Sequence, residues 1–141
     1  MHHDEIIGKV QALTQLPDRG SAERATRAVL ETLAERLPSG LAKHMAAQLP
    51  PTLAAAVEPV TEPSADGHQT GSGERFDLTV FAGRVAVRAA TDEDTALREA
   101  AGVLEVLDAA LTPELTEKLA AALPADIGQL LPSGRARDDQ D

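Results

Sequence analysis

An internal repeat is the feature that most constrains how this chain can fold. Shifting the sequence by 75 residues aligns Ile6-Ile7-Gly8-Lys9-Val10 with Phe81-Ala82-Gly83-Arg84-Val85, and a single deletion then changes the shift to 74. With the shorter shift, Met45-Ala46-Ala47-Gln48-Leu49-Pro50 aligns with Leu119-Ala120-Ala121-Ala122-Leu123-Pro124. The two units are therefore predicted to adopt similar structures.

The repeat divides the chain into four segments. The first unit comprises residues 1–57 and the second comprises residues 76–131. Residues 58–75 contain two prolines, three glycines and few apolar side chains, which predicts a flexible linker. Residues 132–141 have the same character and are predicted to form a disordered tail.

Apolar periodicity predicts an all-α fold with about three helices in each unit. Each unit centres on a long amphipathic helix, at about residues 21–37 and 92–111, between a first helix and a short third helix. The apolar stripe of the first long helix is Ala22, Ala25, Val29, Leu30, Leu33 and Leu37. The stripe of the helix before it is Ile6, Ile7, Val10 and Leu13. Because a unit of roughly 55 residues buries its apolar surface poorly, we expect one helical bundle with a shared core.

Local signals predict where these helices begin and end. Ser21, Asp77 and Thr112 are candidate N-caps, and Thr112 precedes a proline that suits the first helical position. The Leu-Pro pair that closes each third helix predicts a brief turn. The aligned glycines, Gly8 and Gly83, indicate a close helix contact or a weak point shared by the first helices.

Composition excludes several classes of function. The chain has no cysteine, so disulfides and thiol nucleophiles are excluded. Its net charge is −10, and residues 76–131 hold ten acidic against four basic side chains, which disfavours nucleic acid as a partner. No apolar run is long enough to span a membrane, and the first residues do not resemble a signal peptide, so a cytoplasmic protein is expected.

The long helix and the segment that closes the third helix also carry a family resemblance. Residues 22–37, followed by Met45-Ala46-Ala47-Gln48-Leu49-Pro50, resemble the repeat signature of the domain-of-unknown-function 2267 family. A weaker echo lies at residues 99–111 and 119–124, where Ala122 replaces Gln48. The resemblance covers nearly all of residues 3–131 and implies an all-α bacterial protein. The family has no established activity or catalytic residue to transfer.

No group of residues predicts a catalytic, cofactor or metal site. The serines lie at caps, turns or in the linker and tail, and His44 has no neighbouring ligand or nucleophile. The start Met1-His2-His3 could chelate Cu(II) or Ni(II), although an ordinary solvated terminus explains these residues as well. The acidic run Asp92-Glu93-Asp94 is typical of a helix start.

The polar face of the first long helix is the candidate partner-binding surface. It combines both signs of charge, in Arg24, Arg27, Glu31 and Glu35, whereas the second unit has Ala101 at the position of Arg27. Arginine forks bind carboxylates with defined geometry, so such a face can select a protein. We therefore expect a non-catalytic interaction module that binds a protein partner or a second copy of itself. The alternative is a small-molecule or metal-binding protein with a pocket between the repeats.

Overall fold

The computed structural model describes residues 1–57 and 77–132, and this part of the chain is helical, without an extended strand. The eight helices are α1 (His3–Thr14), α2 (Arg19–Arg36), α3 (Ser39–Ala47), α4 (Pro51–Val57), α5 (Leu78–Ala89), α6 (Glu93–Ala110), α7 (Pro113–Ala122) and α8 (Ala125–Gly128). The predicted all-α class is confirmed. The predicted linker, and the predicted tail apart from Pro132, lie outside the described residues.

The prediction of about three helices in each unit was wrong, because four are present on each side of the segment that is not described. The chain that follows each Leu-Pro pair forms the helices α4 and α8 instead of a brief turn. Proline suits the start of a helix, since the first N–H groups have no partner within the helix. The carbonyl of Pro50 accepts from Leu53 and Ala54, and that of Pro124 accepts from Ile127 and Gly128. Each proline therefore ends one helix and begins the next.

Two of the three predicted caps agree with the structure. The side chains of Asp77 and Thr112 accept hydrogen bonds from the backbone of the first turns of α5 and α7. The prediction of Ser21 as the cap of α2 was wrong. The carboxylate of Asp18 accepts from the Ser21 backbone N–H at 2.7 Å, so α2 begins at Arg19, and a charged acceptor satisfies that donor strongly.

The long helices α2 and α6 are central to the packing. Each of them contacts both α1 and α5, and they also contact each other, while α3 contacts α4 and α7. The buried apolar side chains from both sides of the undescribed segment form one core cluster, in which Leu30 and Leu104 are fully buried. The predicted stripe of α2 is buried along its whole length. No helix of the described part of the chain has the length and apolar character needed to cross a membrane.

The end of α1 differs from the prediction. Leu13, expected in the buried stripe, is 54% exposed, whereas Thr14 is buried. Thr14 faces α6 at Gly102, where an added Cβ would lie only 2.6 Å from Thr14 Cγ2. An added Cβ at Gly8 or Gly83 would meet its nearest atom at 3.9 Å or 3.6 Å, an ordinary contact. Gly102, which the sequence did not single out, therefore marks the closest helix approach made at a glycine among the described residues.

Candidate functional site

The candidate site is an open groove of about 550 Å³ along the exposed face of α2, beside α5. Residues three, four and seven positions apart share one face of a helix, which is why Glu23, Arg24, Arg27 and Glu31 project together. Arg88 of α5 forms the opposite wall. The groove is thus built from one helix that precedes residues 58–76 and one helix that follows them. It brings together three of the four predicted partner-binding residues, namely Arg24, Arg27 and Glu31.

The groove contains three arginines and two glutamates, and their charges are only partly paired. Arg27 Nη2 lies 3.6 Å from Glu23 Oε1, and Arg88 Nε lies 3.8 Å from Glu31 Oε2. Arg24 is exposed and forms no ion pair with any described residue. The pKa of Asp18 lies below its usual value, mainly because of hydrogen bonds from Ser21, with a smaller contribution from the charge of Arg24. Arg24 is therefore the arginine of this groove whose side chain is exposed and in no ion pair with a described residue.

Glu35, the fourth predicted residue, lies outside this groove, where α2 contacts α5. Its Oε1 accepts from Arg88 Nη1 at 2.6 Å and from Arg84 Nη1 at 3.5 Å. The same Arg88 nitrogen donates to the buried hydroxyl of Thr32 at 2.8 Å. Burial opposes ionisation of Glu35, but the hydrogen bonds and charges of Arg88 and Arg84 outweigh it and lower its pKa. Glu35 therefore holds α5 against α2.

His3 joins the N-terminal end of α1 to the groove. Its Nε2 lies 3.1 Å from Glu23 Oε1, and its Nδ1 lies 3.7 Å from Asp4 Oδ1. The imidazole therefore contacts carboxylates of its own chain. Within the described ranges, no three histidine, aspartate or glutamate side chains converge in a way that could hold a metal ion.

A second polar contact, between α3 and α7, lines a shallow groove of about 320 Å³. Gln48 Oε1 accepts from the Thr112 backbone N–H at 2.9 Å, and Gln48 Nε2 donates to Thr112 Oγ1 at 3.2 Å. His44 and Lys118 also line this groove, and both are exposed. Gln48 therefore joins the two sides of the chain, whereas its aligned partner Ala122 has no amide with which to form such a bond.

Glu99 of α6 is a functional candidate that sequence reasoning missed. It is only 6% exposed, and its Oε2 is buried without a hydrogen-bond partner among the described residues. Burial raises its pKa, the charge of Arg98 opposes this, and that of Asp92 adds to it. The aligned residue of the first unit, Ala25, is also buried. This alignment with a buried alanine was the one sequence signal that could have identified Glu99 as buried.

Arg88 was also missed, because its partners in the sequence are more than fifty residues away. Its aligned position in α1 is Leu13, so the repeat itself gave no reason to expect an arginine wall beside α2. The exposed polar residues of α2 could be found from helical spacing. The identity of the helix that faces them, α5, could not be found from that spacing.

Comparison with known proteins gives a family but no activity. A search of curated proteins found no match to the chain. A protein-family model described as "Uncharacterized conserved protein (DUF2267)" matches residues 3–130. This range includes every described helix, and the match agrees with the resemblance found in α2 and at the end of α3. The chain belongs to the DUF2267 family.

Proposed function

We propose that this protein acts by binding another protein, without chemistry of its own, and that the groove between α2 and α5 is the contact surface. The observation that carries the proposal is that Arg24, Arg27 and Glu31 line one groove, with Arg24 in no ion pair among the described residues. An open groove of charged side chains suits a protein surface better than a small ligand, whose sites are mostly enclosed and apolar.

The partner that fits this groove carries carboxylates next to polar groups. Arg24 and Arg27 supply guanidinium forks that bind carboxylates in a bidentate geometry, while Glu31 selects against a purely acidic segment. The chain has a net charge of −10, so most of its surface repels an acidic partner. The exposed guanidinium of Arg24 would therefore help to set the orientation of binding.

The proposal includes a fold of two related units around one core. It is supported by matched lengths, since α1 and α5 each have 12 residues and α2 and α6 each have 18. It is also supported by reciprocal packing, because α1 contacts α6 as α5 contacts α2. Under this arrangement, the counterpart groove between α1 and α6 has Leu13, Ala101 and Gly102 in place of Arg88, Arg27 and Ala28. The charged groove would be unique to one side.

A charge reversal with a matched control tests the assignment. The variant Arg24→Glu with Arg27→Glu is compared with Arg98→Glu, which changes the aligned position on α6. We expect a partner captured from cell lysate by the wild-type chain to be lost by the double variant and retained by the control. Equal retention by both variants would refute the assignment of binding to this groove. Circular dichroism of both variants checks that helicity is unchanged.

A second candidate function is binding of a small anionic molecule. The groove lies between helices from the two sides of the chain, and its volume of about 550 Å³ is within the usual range for ligand sites. Native mass spectrometry of the purified chain tests this candidate directly. A retained mass that disappears in the Arg24→Glu, Arg27→Glu variant would favour it over a protein partner. The cytoplasmic location and the absence of a nucleic acid partner stay predictions.

A further inference from the structure

Two exposed side chains of opposite charge lie on the groove side of α2. Arg24 and Glu31 are two helical turns apart, so they project in the same direction. Arg24 is in no ion pair with a described residue. Glu31 is 47% exposed and lies 3.8 Å from Arg88 Nε, and a carboxylate accepts more than one hydrogen bond. Both side chains can therefore bind a charged group from outside the chain.

The helix α2 is itself a segment of the kind that fits this groove, because it presents a carboxylate beside polar and cationic groups. In an antiparallel pair of α2 helices with a twofold axis between positions 27 and 28, residue 24 of each copy faces residue 31 of the other. We propose that the protein bound in the groove is a second copy of the chain, with Arg24 of each copy paired to Glu31 of the other. This inference rests on the proposed function, because it names the occupant of the same groove.

The pairing satisfies the requirement that a twofold interface be self-complementary, since each contact occurs twice. Near the axis, Arg27 of each copy faces Ala28 of the other. Ala28 is small and only 2% exposed, so the apolar stem of Arg27 can pack over it. The guanidinium of Arg27 lies 3.6 Å from Glu23 of its own chain, and this pair offsets the like charge of the two Arg27 side chains.

The charge distribution of the chain favours contact through its first unit. Residues 1–57 hold six basic and six acidic side chains, whereas residues 76–131 hold four and ten. Two copies that meet through α2 therefore bring together the balanced parts of chains whose net charge is −10. Charge complementarity of this kind favours one orientation of binding and disfavours others.

The helix α6 provides an internal comparison. Arg98 and Glu105 are aligned with Arg24 and Glu31, so the same order of charges occurs on both long helices. An equivalent pair of α6 helices would bring two acidic units together, and Ala101 replaces the arginine near the axis. Repulsion therefore disfavours pairing through α6 and leaves α2 as the contact.

Sedimentation equilibrium of the full chain measures the proposed dimer. The chain has no tryptophan or tyrosine, so interference optics follow its concentration. One helix pair buries less than the roughly 800 Å² per partner of a standard interface, so we expect a weak dimer at concentrations up to about 1 mM. Arg24→Glu and Glu31→Arg each place like charges opposite each other twice. We expect each variant to dimerise at least about tenfold more weakly than the wild type.

Mixing the two variants is the decisive measurement. In an equimolar mixture of the Arg24→Glu and Glu31→Arg chains, opposite charges face each other again at both places. We expect the mixture to form heterodimers that are more stable than either homodimer. The control Arg98→Glu changes the aligned position on α6 and should dimerise like the wild type. Circular dichroism of each variant checks that its helicity is unchanged.

Other outcomes overturn the inference. A wild-type chain that stays monomeric up to about 1 mM refutes a second copy as the occupant, and the groove then binds only a protein of different sequence, which the lysate capture above tests separately. Dimerisation that survives in both single variants, or that is lost in Arg98→Glu, places the contact elsewhere. A mixture that dimerises no better than its components refutes the pairing. Rescue of Glu31→Arg by Arg27→Glu, and not by Arg24→Glu, refutes the register.

Discussion

The contact between α2 and α5 and the contact between α1 and α6 join aligned helices in different ways. At the first contact, Arg88 donates to Glu35 and Thr32. At the second, Thr14 packs into the space that Gly102 leaves open. The residues aligned with Thr14 and Gly102 are Ala89 and Ala28, both buried, so a large and a small residue on one side correspond to two intermediate ones on the other. We call the contact between α2 and α5 the polar joint and the contact between α1 and α6 the apolar joint. The comparison shows that similar packing of two helices accommodates either kind of contact.

The largest expected effect is on the core, and it tests whether α2 and α6 contribute equally to it. Leu30 and Leu104 occupy aligned positions on α2 and α6, and neither is exposed. We expect Leu30→Ala and Leu104→Ala each to lower the free energy of unfolding by about 2–5 kcal/mol, because each leaves a cavity. Urea denaturation measures both. A loss below about 0.5 kcal/mol at either position would show that its helix does not share the core.

The joint between α1 and α6 can be broken by one methyl group. An alanine at Gly102 would place Cβ 2.6 Å from Thr14 Cγ2. The Thr14 hydroxyl donates to the Val10 carbonyl at 2.6 Å, which holds the methyl group in place. We therefore expect Gly102→Ala to cost about 1–3 kcal/mol of stability, as overpacking usually does.

Two controls sharpen this prediction. Adding Thr14→Ala to Gly102→Ala recreates the alanine pair of the aligned contact and should restore most of the lost stability. Gly40→Ala adds a Cβ with nothing within 4 Å and should not destabilise the chain. Thermal unfolding of the three variants measures these differences. A stable Gly102→Ala protein would mean that α1 and α6 can separate at no cost.

The polar joint between α2 and α5 should depend on pH. Glu35 has a pKa below its ordinary value of 4.5 in the folded chain, because Arg88 and Arg84 favour its charged form. Its stabilising contribution is therefore complete above the ordinary pKa and is lost as the pH falls through the lowered value. We expect Glu35→Gln to destabilise the chain by about 1 kcal/mol at neutral pH, since the site is partly exposed.

Urea titrations of Glu35→Gln and wild type at neutral pH and at about pH 3 test this dependence. The difference between the two proteins should narrow in acid as the wild-type carboxylate becomes protonated. A difference that is constant with pH would show that the charge of Glu35 has no role at this joint.

Glu99 should respond to pH in the opposite direction and with the smallest effect. Its folded-state pKa is raised above the ordinary value of 4.5, so its contribution to stability is complete below that value and is lost as the pH rises through the raised one. Glu99→Gln removes the buried charge, and we expect it to stabilise the chain by about 1 kcal/mol or less at neutral pH. The gain should vanish in acid.

A matched control for Glu99 is Glu117→Gln on α7, where the carboxylate is exposed. We expect no change in unfolding free energy there. If both substitutions change stability equally, general relief of negative charge, and not burial at Glu99, explains the effect.

These residues also show how far the sequence could predict the structure. The caps at Asp77 and Thr112 and the buried stripe of α2 were predictable, because they depend on residues within one or two turns. Arg88 beside Glu35 was not predictable, because helical spacing says nothing about which helix lies opposite. The burial of Glu99 was not predicted, because it depends on which elements pack against α6 and not on the residue type. The close approach of α1 at Gly102 was not predictable either, because it depends on how the two helices are placed against each other.

The groove and the joint between α2 and α5 share one side chain. Arg88 forms a wall of the groove and also donates to Glu35, so the groove is complete only while α5 is docked on α2. A molecule that binds there would select the docked state of the helix pair. By thermodynamic linkage, binding of this molecule would stabilise the docked α5 by the same free energy by which docking increases the affinity of the groove for it. Occupancy of the groove and docking of α5 on α2 would then depend on each other through one equilibrium.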